Sequence, residues 1–123
     1  MKRFINLVIV FSVLPLTAHS ESLAEQENYK SIESNYKKSD QELNFLYKKQ
    51  INEYIKEGGE FYGQNESRDI FLKRSQQAWI KTRDADCNYE TYESRKGTGY
   101  SSIYLKCLLD KTNERIKYLK ENN

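Results

Sequence analysis

From Glu21 to Asn123 the sequence contains no proline; the one proline in the chain is Pro15. Proline breaks a helix interior because it lacks the N–H and clashes with the preceding turn. A proline-free stretch of this length therefore leaves long helices open, and its Glu, Lys, Gln and Leu content favours them. Apolar positions recur with a helical step. Tyr29, Ile32, Tyr36, Leu43, Tyr47, Ile51 and Tyr54 hold one face through seven turns. Ser22 with Glu25, and Ser39 with Glu42, each match a capping box. The stripe keeps its phase across the second box, so the spacing predicts one long helix over 23–57, with a bend placed at 38–40. Gly58-Gly59 ends it.

Residues 58–66 read as a loop, after which Asn65 or Ser67 can cap a second helix. In that helix Leu72, Gln76, Trp79, Ile80, Arg83 and Cys87 share a face, and Phe71, Ala78, Ala85 and Tyr89 form a flanking one. Two apolar faces predict a helix touching two neighbours, ending near Glu93 before the Arg95-Lys96-Gly97-Thr98-Gly99 turn. A third helix over 101–121 presents Leu105, Leu108, Leu109, Thr112, Ile116 and Leu119. The expected fold is all-α: a three-helix antiparallel bundle with a long first helix and short connections.

The first twenty residues read differently. Met1-Lys2-Arg3 is a short basic start, Phe4 to Leu16 an apolar run, and Thr17-Ala18-His19-Ser20 a small-residue end. That is the layout of a secretory signal peptide, with Ala18 and Ser20 fitting the cleavage positions before Glu21. The expected organisation is a signal peptide over 1–20 and a helical domain over 21–123, placing the protein in the periplasm or outside the cell. No apolar run reaches the ~18–20 residues of a membrane span, so none is expected after cleavage. In an oxidising compartment Cys87 and Cys107, the two cysteines, are expected to form a disulfide. It would tie the end of the second helix to the start of the third, at the bundle's edge because Cys107 sits off the apolar stripe. No metal site is expected, since two cysteines without histidine make a poor one, and no cofactor is implied.

The whole chain carries 20 Lys+Arg and 18 Asp+Glu. The excess lies in Lys2 and Arg3, so the helical part is neutral overall, with an acidic first helix and a basic last segment. This balance excludes the basic stripe of a nucleic-acid binder. Asp40 falls in the first helix's stripe and Arg83 in the second's. Burial of either needs a partner, so Asp40 is expected to pair with Arg83, or with Arg115 from the edge of the third helix. Asp84 and Asp86 are two apart on a helix and diverge, which argues against a shared ion. Trp79 is expected in the core with Gln76 as a partner for its indole N–H. The ten tyrosines are expected at core and boundary. Contact surfaces are expected in two loops: Glu60, Phe61 and Tyr62, with large aromatics between glycines, and Arg95, Lys96 and Tyr100, inside the disulfide-closed segment. Asn65-Glu66-Ser67 matches a glycosylation sequon, which helix capping also explains.

The segment 72–87, LKRSQQAWIKTRDADC, resembles the core motif of the LprI-like lysozyme-inhibitor domain family. Leu72, Gln76, Trp79, Arg83, Asp84 and Cys87 match its order. Asp40, Leu43, Asn44 and Tyr47 match the element upstream, and Cys107, Thr112, Arg115 and Leu119 the one downstream. The chain departs from the family's four-cysteine pattern, and it lacks the lipid-accepting cysteine of a lipoprotein. The resemblance implies a small exported helical protein whose matched residues serve the fold. It also implies a protein partner, a lysozyme or another envelope protein, and no catalysis. The expected function is therefore that of a non-catalytic binding protein blocking a cell-wall hydrolase. The alternatives are an envelope interaction or immunity-type module and a carboxylate-based cell-wall glycosidase.

Overall fold

The computed structural model describes residues 22–123; the expected signal segment lies outside the described residues. Three helices follow in order: α1 (Leu23–Glu57), α2 (Arg68–Glu90) and α3 (Tyr100–Glu121). Short 3-10 turns at Glu60–Tyr62 and Tyr92–Ser94 lie in the two connections. No strand occurs among the described residues.

Helix α1 starts where its capping residue predicts. The Ser22 hydroxyl accepts from the Glu25 backbone N–H at 3.2 Å, satisfying one of the free donors of the first turn. The second capping box is overridden by the stripe. Helix α1 runs unbroken through Ser39, whose hydroxyl donates instead to Asn113 Oδ1 on α3 at 2.6 Å. Gly58 stops the helix with φ +69°, and its N–H donates to the Tyr54 carbonyl at 3.0 Å. At Gly59 a Cβ would sit 2.7 Å from the Gln64 carbonyl oxygen, so only glycine fits the close return of the loop. Ser67 is the N-cap residue of α2, with its hydroxyl bonded to the Asp69 carboxylate.

Side-chain bonds fix the helix directions. Ser102 reaches Glu25, Ser39 reaches Asn113 and Tyr54 reaches Asn123, so residue numbers rise together and α1 runs parallel to α3. Arg115 reaches Gln76, and Cys107 joins Cys87, so α2 runs antiparallel to α3. This is the up-down-up order that short connections impose. Helix α1 packs chiefly on α3, and α2 lies across that pair.

The core is small. Leu43, Ile116 and Leu119 form its buried centre, with Leu46, Leu72 and Trp79 packed around them. Every member of the predicted α1 stripe is buried or half-buried, and the α3 stripe from Leu105 to Leu119 behaves the same way. Polar clamps cross between the helices. Gln50 is buried, and its amide donates to the Leu119 carbonyl at 3.0 Å. Thr112 is fully buried, and its hydroxyl oxygen has no hydrogen-bond partner among the described residues.

Two expectations are corrected. Helix α2 ends at Glu90, three residues early, because the chain tightens into the 3-10 turn. The disulfide forms as expected, from a completely buried Cys87 to a half-buried Cys107 beside exposed Glu90. Finally, α2 does not use two apolar faces. Gln76 and Cys87 face inward, whereas Phe71, Ala78, Ala85 and Tyr89 are exposed. Helix α2 meets both α1 and α3 through one face, and nothing among the described residues packs on its other side.

With so little apolar burial, the disulfide's constraint on the unfolded chain carries weight. Replacing Cys87 and Cys107 by alanine should remove about 3 kcal/mol for a loop of this length. Urea titration followed by circular dichroism measures it, and an unchanged midpoint would contradict this assignment.

Candidate functional site

The two expected contact loops lie at opposite poles. One joins the end of α1 to the start of α2; the other joins the end of α2 to the start of α3. Helix α2 has 23 residues between them, which at 1.5 Å per residue separates the poles by roughly 35 Å. Within one chain, Glu60 and Tyr62 therefore cannot share a small contact patch with Arg95 and Lys96.

At the first pole a cleft of about 370 Å³ is lined by Gly58, Gly59, Tyr62, Gln64, Glu66, Arg68 and Phe71. The Arg68 guanidinium sits 4.9 Å from the centre of the Tyr54 ring and 5.3 Å from that of Tyr62, close enough for cation–π attraction. Glu66 is engaged by Arg74 at 2.9 Å. Glu60 and Tyr62 are exposed, and their 3-10 turn lies between Gly59 and Gly63; the side chain of Phe61 lies outside what the structure describes.

At the second pole Arg95 and Lys96 are exposed, and neither forms an ion pair among the described residues. With Tyr92 and Glu93 they line an open depression of about 360 Å³. Tyr100 is not free to reach outward. It is half-buried, its ring 5.9 Å from that of Tyr104. Burial, with Asp84 nearby, raises the Tyr104 phenol pKa above its ordinary value. The loop is held on both sides: by the disulfide, and by Ser102, which donates to Glu25 Oε1 at 2.6 Å.

Asp40 and Arg83 do not pair. Asp40 accepts from Asn44 Nδ2 at 3.4 Å, one turn along its own helix. Arg83 binds its neighbour Asp84 at 2.9 Å and lies 5.0 Å from the Trp79 ring centre. Asp86 faces Lys111 at 3.9 Å, so the two aspartates turn to different cations.

The buried charge is instead Arg115, with 8% of its surface exposed. Its Nε donates to Gln76 Oε1 at 3.0 Å and an Nη to Ser75 Oγ at 2.9 Å. Its guanidinium carbon lies 5.6 Å from the Trp79 ring centre and 5.0 Å from that of Tyr118. No carboxylate is within ion-pair distance of it among the described residues. Desolvation lowers its pKa from the ordinary arginine value, though arginine remains charged at any working pH. Gln76 therefore serves Arg115 rather than the Trp79 indole. The signal was present in the sequence: Thr112, Arg115, Ile116 and Leu119 follow the same i, i+3, i+4, i+7 step that buries the rest of α3. Gln50, likewise unmarked, sits on the α1 step between Tyr47 and Tyr54.

Most other motif residues lie in the helix packing, with Asn44 exposed. Leu43, Gln76, Thr112 and Leu119 are buried, and Tyr47 and Leu72 are half-buried. The tyrosines divide: Tyr54 is buried, whereas Tyr62, Tyr89, Tyr92 and Tyr118 are exposed. Among the described residues no group of three or more His, Cys, Asp or Glu is placed to hold a metal ion. Among the described residues no helix is long and apolar enough to cross a membrane.

The family profile described as lysozyme inhibitor LprI matches residues 18–119, and the chain belongs to that family. Among solved structures it is similar to a DUF1311 family protein of Pseudomonas putida, with a TM-score of 0.64 and 23% identity. The match covers 78% of this chain and 90% of that one, and it shows the shared fold. A search of curated proteins gave no match.

Arg115→Ala should cost about 2–3 kcal/mol, by leaving buried Gln76 unsatisfied and opening space beside Trp79. Arg115→Lys should recover little, since an ammonium lacks the fork. Asp40→Asn should stay within about 0.5 kcal/mol. Chemical denaturation of the three variants checks the order; an Asp40 loss as large as Arg115's would reinstate a buried pair at Asp40.

Proposed function

We propose that the chain is an exported, non-catalytic protein that binds and blocks a lysozyme-type cell-wall hydrolase. The observation that carries this reading is the family match, which runs through all three helices. The layout of residues 1–20 and the disulfide fit export.

The loop over 91–99 is the contact surface the geometry favours. A glycosidase cleft of this class holds a pair of carboxyl groups. Arg95 and Lys96 offer two exposed cations without ion-pair partners among the described residues, the complement of such a cleft. Arginine presents a planar fork that suits a carboxylate. The loop lies within the segment closed by the disulfide, so little freedom is lost on docking. Tyr100 would act from behind, by keeping the loop seated on Tyr104.

The test is lysis of cell-wall substrate by a panel of lysozyme classes with the purified protein in excess. At least one class should be slowed, and inhibition should weaken as salt rises. Arg95→Ala with Lys96→Ala should weaken it at least tenfold (about 1.4 kcal/mol) with an unchanged melting temperature, because both side chains are exposed. Inhibition of no class ends this reading; full inhibition by the double variant moves the contact elsewhere.

A further inference from the structure

Among the described residues, nothing packs on the outer face of α2. Taking Gln76 and Cys87 as the buried side, a 100° step per residue puts Phe71, Ala78, Ala85 and Tyr89 on the opposite side. All four are exposed, with Phe71 at 55% and Tyr89 at 83%, and Tyr92 follows just past the helix end. Phe71, Ala78, Ala85 and Tyr92 are spaced seven apart, a repeat suited to a second helix. The large rings lie at the two ends, and the middle is flat.

The charges along α2 are mirrored about its centre. Residues 68–81 carry four cations and one carboxylate, whereas residues 82–93 carry four carboxylates and one cation. This arrangement opposes the helix macrodipole, which favours anions at the N-terminus and cations at the C-terminus. The chain's own helices answer part of it: Lys111 takes Asp86 and Glu90. Lys81, exposed near the outer face, has no ion-pair partner among the described residues.

We propose that a second copy of this chain docks on this face, α2 against α2 and antiparallel. A two-fold axis between residues 81 and 82 sets Phe71 of one copy against Tyr92 of the other, and Ala78 against Ala85. Two alanines at the centre let the backbones approach, with the rings closing both ends. The same axis brings the basic half of each α2 against the acidic half of its mate, and Lys81 near Asp84 of the second copy. A parallel pair would set like charges together. The exposed parts of the three rings supply roughly 400 Å² per copy. With the alanines and the flanking stems, the pair reaches the range of roughly 1,000 Å² or more expected of a specific interface. The contact is isologous, as a two-fold dimer requires. It also brings the 91–99 loop of one copy beside the 58–66 loop of the other, uniting surfaces that lie at opposite poles of one chain.

The dimer is independent of the inhibitor reading, because it is read by mass rather than by lysis. Sedimentation equilibrium of the purified chain should show a dimer forming in the micromolar range. Ala78→Glu with Ala85→Glu should weaken it more than tenfold, with the melting temperature unchanged because both positions are exposed. For orientation, chains carrying Ala78→Cys and Ala85→Cys are mixed and oxidised mildly. Mixed disulfides between the two variants should outnumber like-with-like ones. A monomer at several hundred micromolar, a dimer indifferent to the glutamates, or a majority of like-with-like crosslinks would each overturn the proposal.

Discussion

Arg115 is the interaction that locks the third helix to the second. It is a buried cation without a carboxylate, held by the amide oxygen of Gln76, the hydroxyl of Ser75 and the faces of Trp79 and Tyr118. A buried charge is costly when unpaired, but a guanidinium is weakly hydrated and planar, so ring faces and neutral acceptors offset part of the loss. Three of these four partners sit on α2, and the fourth is one turn along α3. Their positions are compatible with one rotation of α2 about its axis, the one that turns Gln76 inward. That rotation also buries Cys87 beneath Cys107. The same turn leaves Phe71, Ala78 and Ala85 outside.

Parallel α1 and α3 form a pair in their own right, fastened by Leu43 against Ile116 and Leu119 and by Gln50 on the Leu119 carbonyl. Helix α2 then adds only one face. This explains why a chain with an apolar core this small has so many directional contacts between helices. Hydrophobic burial is non-directional and tolerates sliding, whereas a donor such as Gln50 or Arg115 is satisfied in one register only. The disulfide closes the remaining freedom between α2 and α3.

Periodicity made the helices legible. The α1 limits, its Ser22 cap, the α3 stripe and the Cys87–Cys107 bond all follow from spacing, capping chemistry or cysteine number. These depend on residues close in sequence, or on there being only one way to pair. The partners of Asp40 and Arg83 were not legible, and the expected pair between them does not form. Judging that pair required the relative rotation and offset of two helices, which a single sequence does not carry. Asp40 finds Asn44 four residues along, and Arg83 finds Asp84 next to it, because local partners are always in reach. The outer apolar positions of α2 were legible as apolar but not as unburied, since periodicity marks a face without saying what covers it. The candidate site divides in the same way. Arg95 and Lys96 lie exposed as their turn suggested, whereas Tyr100, only four residues on, belongs to the α3 helix and is packed on Tyr104.

The burial of the motif residues bears on where target choice can reside. Gln76, Cys87, Thr112, Arg115 and Leu119 are buried in helix packing, so none of them can meet a partner without opening the interface that holds it. If the chain binds a partner as proposed, the contacts fall to exposed positions: the loops and the outer face of α2. Those positions can change with little effect on stability, because surface substitutions away from caps and clamps are nearly neutral. A scaffold with fixed buried polar contacts and free poles is thus able to keep its fold while its target changes.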